Sequence, residues 1–343
     1  MKIAHLYGIH DVRIEEAPRP EPGPGEVLLR IKAVGLCGSD VHYYREGAIG
    51  DAVVKEPLVG GHEFSAQIAA LGPGVAGLKV GQAVAVDPAR SCGQCEFCRG
   101  GNPNLCPAVA FAGSPGVDGA LREYVTYPGR YCYPLPPNLN YDDGAVLEPL
   151  GIAIHAVDLG KPKPGQSVAV LGCGPIGLLT IQMARVAGAS RIFATEPLDY
   201  RLKAARKAGA TDLFNPRRED VVAAILKATG GRGVDAVFEA AGAQETPDQS
   251  MKIAKPGGTV ILVGIPTEDT TTFTASVARR KGLTIKLSRR MKEVYERAMA
   301  LAAAGQVDLR SVVSHHFPLE RTAEALDLLE NYKDNVLKII IEP

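Results

Sequence analysis

The sequence predicts an α/β protein of two domains, one rich in short strands and one built as a doubly wound parallel sheet. Three observations predict it. The chain has 343 residues, more than one ordinary hydrophobic core encloses. The first 150 or so residues are dense in glycine and proline and hold only short apolar β-type runs. From about Ser167 the texture changes to strands alternating with amphipathic helices, the pattern of a parallel sheet covered on both faces.

Element by element, Pro18, Pro20, Pro22 and Pro24 set an extended, turn-rich approach to a first β-type run at residues 27–34. A second run is Ala83–Val86. Ser167–Leu171 reads as a buried strand, followed by the turn Gly172-Cys173-Gly174-Pro175-Ile176-Gly177. Residues 175–187 place Ile176, Leu179 and Met183 on one helical face. Arg191–Thr195 is the next strand, and residues 200–208 and 221–229 are amphipathic helices. Val234–Glu239 and residues 259–263 continue the strand series. After Arg289 the pattern predicts helices at 292–304 and around 319–329, then a strand at 337–341.

Lys+Arg and Asp+Glu are both 38, so the formal net charge is zero. No general affinity for nucleic acid or an anionic membrane is expected. The local runs Arg279-Arg280-Lys281 and Arg289-Arg290 read first as solvent-facing. No stretch of 18 apolar residues suggests a membrane span. Met1-Lys2-Ile3-Ala4-His5 lacks the apolar core of a secretory signal, so a cytoplasmic location is expected. Seven cysteines, four of them tightly clustered, point to metal binding in a reducing compartment.

Gly172, Gly174 and Gly177 fit G-x-G-x-x-G, after a strand and opening a helix. The first glycine permits the tight turn, the second lets a pyrophosphate approach, and the third allows helix to pack on strand. The helix start, at Pro175 and Ile176, supplies N–H groups and positive potential. Glu196 ends the next strand, where a carboxylate accepts from adenosine ribose hydroxyls and repels a 2′-phosphate. NAD is therefore expected over NADP, with Arg201 the nearest residue able to reverse that preference.

A catalytic zinc needs three protein donors and one open position. Cys37, His62 and an acid supply that chemistry. Glu63 adjoins His62, and adjacent strand side chains point to opposite faces, so both bind one ion only if the backbone bends there. Glu148 is the other candidate acid. Cys92-x-x-Cys95-x-x-Cys98-x7-Cys106 is a closed four-thiolate pattern, expected to hold a structural zinc. A redox thiol cluster is the rival, but spacing and count suit zinc better.

The strings CGSDVHYY, GGHEFSA, EPLGIAIHA and GCGPIG resemble the zinc-dependent medium-chain dehydrogenase/reductases, most closely the sorbitol (polyol) dehydrogenase branch. The resemblance covers essentially the whole chain. It implies a GroES-like catalytic domain at 1–150, with a zinc lobe near 88–107, a Rossmann domain at 151–288, and a return to the catalytic domain at 289–343. It implies zinc ligands at Cys37, His62 and Glu63 or Glu148, and two zinc ions per chain. Ser39 and His42 are expected as a proton relay, and Tyr43, Phe111, Ser114 and Arg289 as substrate contacts. The segment Ser288-Arg289-Arg290-Met291 departs from the aromatic-flanked arginine usual in sorbitol dehydrogenases. The implied reaction is NAD-linked oxidation of a polyol to its ketose. A 2,3-butanediol or L-threonine dehydrogenase is the alternative, and a non-catalytic nucleotide-binding protein is the alternative of another class. Relatives imply a homotetramer or dimer, with contacts expected at residues 259–264 and 270–273.

Overall fold

The computed structural model describes residues 1–343 and divides into two compact units. The first comprises Met1–Glu148, Tyr295–Ala303 and Val313–Pro343. The second comprises Pro149–Val294 and Ala304–Val312. The stretch after Arg289 thus belongs to the units alternately and does not go to the first as one piece.

In the first unit a seven-stranded sheet is organised around the strand Glu26–Gly35. One edge pairs antiparallel with Glu63–Leu71. The other takes Tyr124–Pro128 along its first half and Lys338–Glu342 at Val34 and Gly35. Its sequence EVLLRIKAVG buries Val27, Leu28, Leu29, Ile31 and Val34, as a strand covered on both faces must. Leu29, Ile31, Phe64, Ile68, Val84 and Ile339 share one core. This sheet joins residues far apart in sequence: Gly35 lies opposite Glu63 on one side and Ile340 on the other.

The second unit carries a six-stranded parallel sheet. Its order is Asp212–Phe214, Arg191–Thr195, Ser167–Leu171, Val234–Glu239, Ala254–Leu262, Thr284–Leu287. The order reverses direction between Ser167–Leu171 and Val234–Glu239, and ligands of such sheets bind at the carboxyl ends of the strands there. The edge strand Thr284–Leu287 and the early start of Ala254–Leu262 differ from the sequence expectation. The register of Ala254–Leu262 with Val234–Glu239 shifts between Ala254 and Thr259, and Gly257 has a left-handed φ of 69°, so Pro256-Gly257-Gly258 form a bulge inside the strand.

At the opposite end of this sheet Asp235 ties three adjacent strands together. It accepts from Ser167 N and Oγ at 3.0 Å each, and pairs with Arg232 and Lys255 at 2.7 Å each. Burial pushes its carboxyl up, but these donors outweigh that and hold it well below the usual carboxylate range. A depressed folded pKa contributes stability above the unfolded value of about 4 and loses it as pH falls from there. Asp235→Asn is expected to cost about 2 kcal/mol at neutral pH and to flatten the acid limb of stability. Thermal unfolding between pH 7 and about pH 3 checks both; equal acid slopes in mutant and parent would contradict the account.

Candidate active site

Cys37 is the N-cap of the helix Gly38–Glu46, and Asp40 closes a capping box by accepting from Cys37 N at 2.9 Å. The same buried carboxylate accepts from Gly61 N at 3.1 Å and lies 4.0 Å from His62 Nδ1. Asp40 therefore stitches the Cys37 segment to the His62 segment. Gly61 has φ 83°, a left-handed value that suits glycine, and a Cβ there would meet Val34 at 2.7 Å. That bend, just before the strand Glu63–Leu71, turns His62 and Glu63 toward one point. One ligand atom from each of Cys37, His62 and Glu63 lies within 4.8 Å of the others. Glu148 is not in that group, although it is buried and feels their charges.

The donors fit a divalent ion. Glu63 Oε2 is buried with no partner in the protein, while Oε1 accepts from Lys338 Nζ at 2.7 Å. An orphaned buried carboxylate oxygen is costly unless a cation meets it. Gly35 makes room for that oxygen, since a Cβ there would overlap it. Burial and the Glu63 charge push the Cys37 thiol up to about 11, so its thiolate needs a cation to form. Burial likewise pushes Glu148 up to about 8, with His62 partly offsetting it.

Around this centre, Ser39 lies near Cys37, where its hydroxyl favours the thiolate slightly. His42 Nδ1 lies 3.2 Å from Glu46 Oε2, one helical turn on. The Phe111 ring centroid sits 5.1 Å from that of His62, and Ser114 Oγ donates to the Phe111 carbonyl at 2.6 Å. Tyr43 is packed into the core of the first unit. It adjoins His42 in sequence, but the helix turns the two apart. In the second unit Arg289 is exposed, whereas Arg290 is half-buried with a left-handed φ of 50°.

Cys92, Cys95, Cys98 and Cys106 also converge within 4.8 Å, with Cys95 Sγ 3.4 Å from Cys98 Sγ. Backbone N–H groups of Cys95, Cys98 and Cys92 point at the sulfurs of Cys92, Cys95 and Cys106. Such donors stabilise thiolates, and backbone hydrogen bonds pull Cys92 down to about 6. Phe97 and Leu105 are exposed here, so the lobe has little core of its own and a closed four-thiolate zinc fits it. Cys132 and Cys173 are buried free thiols.

The glycine turn forms a cradle of bare backbone. Gly172 has φ 90°, and its Cβ would meet Ala241 Cα at 2.7 Å. Gly174 caps the helix Pro175–Val186, with Pro175 at its first turn and Ile176 next. A Cβ on Gly177 would overlap the Gly172 carbonyl oxygen. Glu196 Oε2 accepts from Cys173 N at 2.8 Å and Oε1 from Leu198 N at 3.1 Å. Arg201 is buried beside the turn, its Nη1 3.7 Å from where a Gly174 Cβ would stand. Glu239 shapes the facing loop, accepting from Ala241 N, Gly242 N and Thr246 Oγ1 at 2.8–2.9 Å. A dinucleotide pyrophosphate fits a turn so free of side chains.

Sequence reasoning missed Asp40, Lys338, Gly35 and Glu239. Asp40 had a signal: an acid three residues after the N-cap cysteine is a capping-box spacing. Lys338 had none, being 275 residues from Glu63.

Comparison with known proteins agrees with this geometry. Residues 23–137 match the family model for the alcohol dehydrogenase GroES-like domain. Residues 175–304 match the model for zinc-binding dehydrogenases. The chain is 36% identical to a sorbitol dehydrogenase of Bacillus subtilis over 343 residues, covering 100% of this chain and 97% of that protein. It is 41% identical to a probable D-xylulose reductase A of Aspergillus clavatus over 315 residues, covering 90% and 88%. Its fold superposes on the crystal structure of 2R,3R-butanediol dehydrogenase from Bacillus subtilis with a TM-score of 0.90, at 32% identity, covering 100% and 99%. No helix is long and apolar enough to cross a membrane. Matched in both halves by the family's models and along its length by these relatives, the chain belongs to the zinc-dependent medium-chain dehydrogenase/reductases, in the polyol dehydrogenase branch.

Proposed function

We propose that this protein oxidises a secondary hydroxyl of a polyol to the ketose, reversibly, with NAD as hydride acceptor. The observation that carries the reading is the convergence of Cys37, His62 and Glu63 around a buried, unpartnered Glu63 Oε2. Zinc bound there supplies Lewis acidity toward the substrate hydroxyl, and NAD bound at the glycine turn supplies the hydride acceptor. Cys37, His62 and Glu63 are assigned as its ligands, and Glu148 as the outer carboxylate. The Ser39 hydroxyl takes the substrate's hydroxyl proton and passes its own to His42. With Nδ1–H donated to Glu46, His42 keeps Nε2 as the acceptor, from which the proton leaves to water. The substrate loses one proton and one hydride, and ketose, NADH and a proton result. The four cysteines from Cys92 to Cys106 are assigned to a structural zinc.

The sorbitol and D-xylulose relatives favour a C5 or C6 alditol. Arg289, Phe111 and Ser114 are kept as substrate contacts, with the half-buried Arg290 as a further candidate, and Tyr43 supports the pocket from the core. The butanediol neighbour motivates the second reading, a diol dehydrogenase. Initial rates of NADH formation on alditols, vicinal diols and threonine, with and without a zinc chelator, decide between them. Chelator-sensitive alditol oxidation supports the first reading, and turnover of diols alone moves the assignment to the second.

Glu196 is assigned to exclude NADP by repelling a 2′-phosphate. Glu196→Ser is expected to shift the ratio of kcat/KM for NADP over NAD upward by about tenfold, or about 1.4 kcal/mol. An unchanged ratio would assign the preference elsewhere, with Arg201 the first place to look.

A homotetramer or dimer is the assembly we infer from the family. Ala254–Leu262 lies between two strands, so its backbone is already paired, whereas Thr284–Leu287 offers a free edge with Leu287 76% exposed. That edge is a better contact than residues 259–264, and sedimentation gives the mass. A cytoplasmic location suits a lobe that needs reduced cysteines.

A further inference from the structure

We propose that Lys338 is a positioning residue for the catalytic donor set: it holds one oxygen of Glu63 and the carbonyl of Leu36, leaving the other Glu63 oxygen to the metal. The proposal rests on the assignment of Cys37, His62 and Glu63 as ligands.

Lys338 opens the strand Lys338–Glu342, whose following residues Ile339, Ile340 and Ile341 are all buried. A fourth apolar residue would satisfy packing alone. Instead the strand buries an ammonium, 3% exposed, which is expensive unless it is paired and hydrogen-bonded. Its Nζ donates to Glu63 Oε1 at 2.7 Å and to Leu36 O at 2.8 Å. Leu36 precedes Cys37, and Glu63 follows His62. One ammonium therefore grips both donor-bearing segments by their acceptors. Asp40 grips the same two segments by their donors, Cys37 N and Gly61 N. The two clamps are opposite in charge and share no contact group, so neither replaces the other.

The grip is also selective within Glu63. With Oε1 engaged by Lys338 and Oε2 orphaned, the carboxylate presents a single oxygen. Without the ammonium both oxygens are equivalent, and the carboxylate is free to rotate or bind through both. Partners that fix a ligating side chain in this way typically govern metal affinity by about 10- to 100-fold.

The test is Lys338→Met in the full-length zinc-loaded protein, read by chelator competition with metal analysis and by the visible spectrum after cobalt replaces the catalytic ion. Expected are retention of the four-cysteine zinc, loss of the other ion at about tenfold lower chelator concentration, and an altered cobalt spectrum. Lys338→Arg, which keeps a cationic donor, is expected to restore most of the affinity. Two ions held as tightly as in the parent, with an unchanged cobalt spectrum, overturn the proposal. Should Lys338→Met fail to fold, Lys338→Gln removes the charge while keeping a donor and is judged by the same two outcomes. Glu63→Gln and Glu148→Gln test the underlying assignment separately. If Glu148→Gln releases the ion and Glu63→Gln does not, the ligand assignment fails, whatever Lys338→Met shows.

Discussion

Cys37→Ala is expected to lower kcat/KM by about 10³-fold, near 4 kcal/mol, and to reduce the zinc content from two ions per chain to one. The helix N-cap tolerates the change because the Asp40 carboxylate still accepts from the backbone N of residue 37. His62 and Glu63 then remain, too few protein donors for a stable zinc site. Metal analysis beside steady-state rates checks the prediction. Loss of one zinc with folding intact supports the assignment, and near-parent turnover removes Cys37 from the catalytic centre. Cys92→Ser serves as the contrast: it too loses one zinc, but from a lobe that the reaction does not use, so its defect should appear mainly in thermal stability.

Gly177→Ala should cost about 3 kcal/mol or more in stability together with cofactor binding. The added methyl would overlap the Gly172 carbonyl, and neither residue has a flexible side chain to give way. The turn must open, and opening it spoils the approach to the pyrophosphate. Gly174→Ala is the control, because the nearest atom to its Cβ is Arg201 Nη1 at 3.7 Å, an ordinary contact. That variant should fold as the parent does and lose affinity for NAD alone. Unfolding midpoints with fluorescence titration of NADH separate the two. Equal stability of Gly177→Ala and parent would mean that the helix packs less closely on the strand than the geometry requires.

What was legible in the sequence was local. The glycine turn, the four-cysteine spacing and the strands Ser167–Leu171, Arg191–Thr195 and Val234–Glu239 each fall within one short window. Their chemistry needs no distant partner to be recognised. The helix Tyr141–Gly160 was hidden because Gly144, Pro149 and Gly151 interrupt its pattern. The bend at Gly61 decides how His62 and Glu63 converge, yet a glycine's φ is set by its surroundings, here Val34 and Leu121. Tyr43 is expected at the substrate by resemblance alone, and its burial in the core of the first unit is set by packing that no local pattern carries. Arg289 and Arg290 are indistinguishable in sequence, and their difference in exposure follows from the local backbone, left-handed at Arg290.

The pairing of Lys338 with Glu63 also sets a timetable. The two are separated by 275 residues, and Pro149–Val294 is made between them. At roughly 5–20 residues per second the ribosome needs about 14–55 s to cover that distance. During that interval Cys37, His62 and Glu63 exist without the residue that holds Glu63 in place. A zinc ion captured early would meet a carboxylate able to bind in either of two ways, and would be readily surrendered. Metal that binds after Lys338 has joined the sheet meets a site with one arrangement, so the donor set is complete only when nearly the whole chain has been made.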